Sequence, residues 1–121
     1  MITEGKELNS QELAHTIVDM LEERKAMDIL LLDIRQVTIL ADYFVLCSAT
    51  SERHLQTLAD DLSKQLKVDV GRPLSVEGEP ESGWMLVDYG DVIVHVFLPE
   101  TRRHYDLEGL WRKAQTIVHI Q

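Results

Sequence analysis

Hydrophobic and polar positions along the chain divide it into segments of two periods. Asn9 followed three residues later by Glu12 has the form of a reciprocal helix cap, and Leu13, Ile17, Met20 and Leu21 then repeat at helical spacing, predicting a helix over about residues 10–25. DILLLDI, residues 28–34, and ADYFVLCSAT, residues 41–50, read as strands joined by the connector RQVTIL. Thr50 or Ser51 can cap a second helix, in which Leu55, Leu58, Ala59, Leu62 and Leu66 form one stripe. Residues 68–83 are rich in Gly and Pro and predict a loop with at most a short edge strand around Leu74 to Val76. Asp106 is placed to cap a final helix whose stripe is Leu107, Leu110, Trp111, Ala114 and Val118.

Between the loop and that helix lies WMLVDYGDVIVHVF, residues 84–97. Tyr89-Gly90 separates two runs of β-formers and predicts a hairpin with a two-residue loop, which pairs Asp88 with Asp91 and Trp84 with His95. Alternation then puts Met85, Val87, Val92, Val94, Val96 and Leu98 on one wholly apolar face, which must be core. The second face carries Trp84, Leu86, Ile93, His95 and Phe97, with the two aspartates opposed at its rim. Two readings fit that face: an aromatic protein-docking patch rimmed by acids, or a second core covered by a helix. The order of elements is α-β-β-α-(β)-β-β-α, an α/β fold with a small mixed β-sheet and flanking helices.

Length and charge narrow the function. The 121 residues suffice for a single domain, with residues 1–8 expected as a flexible N-terminus and 115–121 as a C-terminal tail. A formal charge of -9 opposes direct, sequence-specific nucleic-acid binding and favours basic protein partners. Cys47, the one cysteine, sits in the apolar run FVLC and reads as a buried hydrophobe in a reducing compartment. No leader and no apolar run of membrane-spanning length is evident, so the expectation is a cytoplasmic protein without a membrane partner.

Candidate chemistry is sparse. Asp88 and Asp91 could form an acid/base or metal-binding pair, although Asp beside a tight turn is common for local hydrogen-bonding reasons. His15, His54, His95, His104 and His119 show no H-x-H or H-E-x-x-H spacing, so no metal site is expected. The serines of CSATS lack a nucleophile-elbow context and there is no phosphate-cradling glycine motif, so neither a catalytic residue nor a cofactor is expected. Arg102, Arg103 and His104 beside Tyr105 form a basic cluster too small to be a nucleic-acid footprint by itself.

Four blocks carry a resemblance: DYFVLCSATSERHLQTLADDL at 42–62, GRPLSVEG at 71–78, GWMLVDYGDVIVHVF at 83–97 and RHYDLEGLW at 103–111. In this order and spacing the chain closely resembles the ribosomal silencing factor S, or iojap, family over roughly residues 8–115. Ala49 departs from that pattern, where glycine is common, and asks only for an ordinary backbone angle. The resemblance implies a nucleotidyltransferase-like fold without catalytic residues. It also implies a non-enzymatic translational repressor that binds the large ribosomal subunit through ribosomal protein L-fourteen and sterically blocks joining of the small subunit. The hairpin face itself then supplies the expected partner-binding residues Trp84, Asp88, Asp91, His95 and Phe97 with Tyr105 and Trp111, and, should that face be a second core, the docking surface is expected at Asp42, Tyr89 and the loop from Arg102 to Tyr105. A homodimer would compete for the same surface. The alternative is a metal-dependent nucleotidyl or phosphoryl transferase that uses Asp88 and Asp91.

Overall fold

The structure, a computed structural model, describes residues 8–121. The N-terminal tail expected at residues 1–8 therefore falls outside the described residues except for Leu8, which packs against the core.

Helix α1 spans Ser10–Glu23 and starts as its cap dictates: Asn9 accepts from the Glu12 amide at 2.8 Å and the Glu12 carboxylate accepts from the Asn9 amide at 3.1 Å. Such a cap contributes about 1 kcal/mol. Strands β1, Met27–Asp33, and β2, Tyr43–Ser48, pair antiparallel. Ser51 caps α2, Glu52–Gln65, which runs on through Leu66 into the short helix α3, Lys67–Val70. Then come β3, Ser75–Glu79, a single helical turn at Pro80–Ser82, β4, Trp84–Asp88, and β5, Val92–Phe97. Two short helices, α4 at Pro99–Tyr105 and α5 at Leu107–Leu110, precede β6, Gln115–Ile120.

The sheet has six strands in the order β3-β4-β5-β2-β1-β6, with β2 and β5 its one parallel pair and every other pair antiparallel. All six residues of the central strand β2 are buried, which accounts for its continuous apolar run. One sheet face, built by Leu31, Val45, Cys47, Met85, Val87, Val94 and Val96, packs against Ile17 and Leu21 of α1 and Leu55, Leu58 and Leu62 of α2. Burial pushes the Cys47 thiol up to about 12 and keeps it protonated. The opposite face holds a second core of Leu32, Ile34, Ala41, Phe44, Leu46, Phe97 and Leu107.

Three expectations are corrected. The final helix and the 115–121 tail are replaced by α5 and β6. Asp106, in the left-handed region at φ 48°, breaks the helical path between α4 and α5 while its carboxylate caps α5 through the Gly109 amide. The β-branched run from Thr116 to Val118 then finds a partner in β1, so Val118 belongs to a strand and not to a helical stripe. The hairpin turns at Gly90-Asp91, with Gly90 at φ 88° and the Tyr89 amide donating to the Val92 carbonyl at 2.9 Å. Every cross-strand partner is thereby displaced by two residues, so Trp84 faces Phe97 and Asp88 faces Ile93. Because side chains alternate with a period of two, the composition of both faces survives that shift. The opposed aspartates do not: Asp88 instead accepts from the Gly90 amide at 2.7 Å. Thirdly, β3 is longer than the expected edge strand and pairs in register along the whole of β4.

Candidate functional site: a half-covered aromatic face with an acidic rim

The second face is a core at its centre and open at its edge. A row of rings crosses it. Tyr105 of α4 lies 4.9 Å from the Trp84 ring, Trp84 stacks on Phe97 at 5.0 Å, His95 meets Phe44 edge-on at 4.9 Å, and Phe44 meets Trp111 edge-on at 5.2 Å. The inner members Phe44, His95 and Phe97 are buried, Trp84 and Trp111 are half-buried, and Tyr105 is 52% exposed. α4, α5 and Trp111 close over the β2 side and leave the β3–β4 side open.

Of the residues expected to contact a partner, Phe97 and His95 therefore belong to the second core. Phe97 is fully buried. His95 accepts from Trp84 Nε1 at its Nδ1, 3.2 Å away, which places its own proton on Nε2, a buried atom without a partner. Burial holds its pKa down at about 4, so the ring is neutral and acts as an aromatic filler. Arg102 is buried too. Its Nη1 donates to the Asp28 carbonyl at 2.7 Å and to Ser48 Oγ at 2.9 Å, while its Nε donates to Glu108 at 3.1 Å. It is a clasp joining α4 to β1, β2 and α5 and presents no docking surface. Tyr89 turns to the other side of the sheet, where its hydroxyl donates to the Leu62 carbonyl at 3.4 Å and burial raises its pKa to about 12.

Trp84, Tyr105 and Trp111 remain at the surface of the second face. Asp88, Asp91 and Asp42 gather at one end of the sheet, where the Asp91 carbonyl accepts from the Asp42 and Tyr43 amides at 2.8 and 3.0 Å and Asp42 accepts from Ser10 Oγ at 2.8 Å.

Beside Trp84 lies a depression of about 300 Å³ lined by Glu77, Gly78, Ser82, Trp84, Leu86 and Tyr105. Glu77 and Glu79 were missed as site residues, because a segment read as loop has no defined faces. Once β3 pairs with β4, Glu77 stands opposite Leu86 and Glu79 opposite Trp84, on the open face. The signal available was the acid-rich EGEPES immediately before the hairpin. Among the described residues Glu77, Glu79, Asp88 and Asp91 have no cationic partner. Nor do three His, Cys, Asp or Glu side chains converge in a metal-holding group among the described residues. Chemically, the arrangement suits desolvation of a partly apolar, positively charged surface.

The fold and this face define a small mixed α/β module with an aromatic, acid-rimmed and partly open sheet face. The chain belongs to the family described as "Ribosomal silencing factor during starvation", whose model matches residues 7–121. It is 34% identical over 110 residues to the ribosomal silencing factor RsfS of Halalkalibacterium halodurans, covering 91% of this chain and 94% of that protein. To the RsfS of Bacillus subtilis it is 35% identical, covering 88% and 91% respectively. The mouse protein named "Mitochondrial assembly of ribosomal large subunit protein 1" is 37% identical over 98 residues, which are 78% of this chain and 43% of that protein. In structure the chain is similar to a Chromobacterium violaceum protein, with TM-score 0.82, 34% identity and coverage of 92% and 94% of the two chains. A Bacillus halodurans crystal structure gives TM-score 0.77 at 32% identity, covering 89% of this chain and 98% of that one.

Proposed function

We propose that this silencing factor docks on the large ribosomal subunit through ribosomal protein L-fourteen and that its bulk there excludes the small subunit. The observation that carries the reading is the open half of the second face: Trp84, Leu86 and Tyr105 around an apolar depression, with Glu77, Glu79 and Asp88, which have no cationic partner among the described residues, at its edge. Trp111 and Asp91 extend that surface, while Asp42 is drawn towards α1 by Ser10. Aromatic side chains on a rigid sheet supply anchor area at little entropic cost, and the carboxylates favour a basic partner and disfavour bare RNA at this face. The name of the mouse relative, which refers to assembly of the ribosomal large subunit, supports the choice of subunit.

On this reading the module is a cytoplasmic, non-catalytic repressor that acts by occupying space. A homodimer closed over the same aromatic surface would compete with the ribosome for it. Sedimentation with purified subunits tests the proposal. The protein is expected to travel with large subunits and not small ones, and to lower the yield of whole ribosomes from separated subunits. Equal binding to both subunits, or to neither, overturns it.

A further inference from the structure

The edge strand β3 has opposite charge on its two flanks. Lys64 near the end of α2, Lys67 in α3 and Arg72 beyond it line one depression of about 310 Å³ with Ser63, Pro73 and Val76. All three cations are exposed, and none has an ion-pair partner among the described residues. Among the described residues Lys25, Arg53, Arg103, Arg112 and Lys113 also have no ion-pair partner, so what sets these three apart is their convergence on one depression. No acidic side chain lines this depression. A lysine in the last turn of a helix is favoured by the helix dipole, which accounts for Lys64 but not for the convergence of all three. Lys64 and Lys67 stand three apart along a nearly continuous helical path, so they project to neighbouring positions.

The register of β3 relates this patch to the docking face. Val76 stands opposite Val87, on the first face of the sheet, while Glu77 stands opposite Leu86, on the second. Cations and acidic rim thus flank the same strand on opposite sides. At physiological ionic strength exposed charges are screened beyond about 8 Å, so a partner seated in this depression responds first to the three cations lining it, with Asp61, already paired with Arg24, on the far side of Lys64.

We infer that Lys64, Lys67 and Arg72 form a phosphate-binding patch that engages the RNA backbone of the large subunit next to the protein partner of the second face. The inference rests on the docking reading above and adds a second contact of different chemistry. The contact is electrostatic and reads no base sequence, since ammonium and guanidinium groups on phosphates position a protein without specifying nucleotides. It lets a strongly acidic protein settle where a basic ribosomal protein borders RNA.

The test compares the full chain with the triple variant Lys64→Gln, Lys67→Gln, Arg72→Gln, in which all three replaced side chains are exposed. Large-subunit affinity is measured against potassium chloride concentration. Three phosphate contacts contribute about -2 to -3 to the slope of log affinity on log salt. The variant is expected to bind more weakly at low salt and to lose that part of the slope. Ultraviolet cross-linking of the wild-type complex is expected to leave nucleotide adducts on peptides carrying Lys64, Lys67 or Arg72. Large-subunit binding with unchanged slope, or cross-links from these residues only to protein, overturns the phosphate contact and leaves the docking reading standing. Absence of wild-type binding to large subunits overturns both.

Discussion

Replacing Phe97 with alanine separates packing from binding on the second face. Phe97 has 0% of its surface exposed, stacks on Trp84 at 5.0 Å and lies in one cluster with Phe44, Leu46 and Leu107. Truncating a fully buried phenylalanine costs about 3 to 5 kcal/mol, the sum of lost transfer energy and an unfilled cavity. With a urea dependence of about 1.5 kcal/mol per molar, reasonable for a chain of this size, the unfolding midpoint should fall by about 2 to 3 M. Because that is a large part of a typical domain stability of about 5 to 15 kcal/mol, Phe97→Leu should be measured beside it, with an expected loss under about 1.5 kcal/mol. Large-subunit affinity, measured where the variant remains folded, should change only as far as Trp84 loses its stacking partner. An unchanged midpoint together with lost affinity would refute the assignment of Phe97 to the core and return it to the interface.

Charge reversal at the rim should behave in the opposite way: Glu77→Lys or Asp91→Lys, both exposed, should leave the urea midpoint nearly unchanged and weaken large-subunit binding at least several-fold, read by sedimentation. His95 binds its proton near pH 4 in the folded chain and near 6.5 in the unfolded one, so the unfolded state takes up more protons between those values. Stability is accordingly complete above about pH 6.5 and falls as pH drops towards 4, by up to about 3 kcal/mol, and the stability profile of His95→Asn should be flatter across that window. Arg102→Ala strands the Glu108 carboxylate, the Asp28 carbonyl and the Ser48 hydroxyl, and should cost about 3 kcal/mol by chemical denaturation. A loss within about 0.5 kcal/mol would show the clasp to be dispensable.

Local chemistry alone determined much of this protein. The Asn9–Glu12 cap, the leucine stripe of α2, the two strands around the connector at residues 35–40 and the division of the hairpin into an apolar and an aromatic face all follow from interactions within a few residues, which any chain with these side chains would make. The apolar face could be assigned even with the turn misplaced, because a shift of two residues conserves the faces. What depended on distant partners was decided only in the tertiary structure. The segment from Gln115 to Ile120 became a strand because β1 offered an open edge nearly ninety residues earlier, and β3 acquired faces only by pairing with β4. The aromatic face is part core and part surface because α4 and α5 are short and are redirected at Asp106, which lets them cover β2 and β5 but not reach β3. Periodicity records which side chains share a face; how much of that face another element covers depends on lengths and directions set by long-range packing.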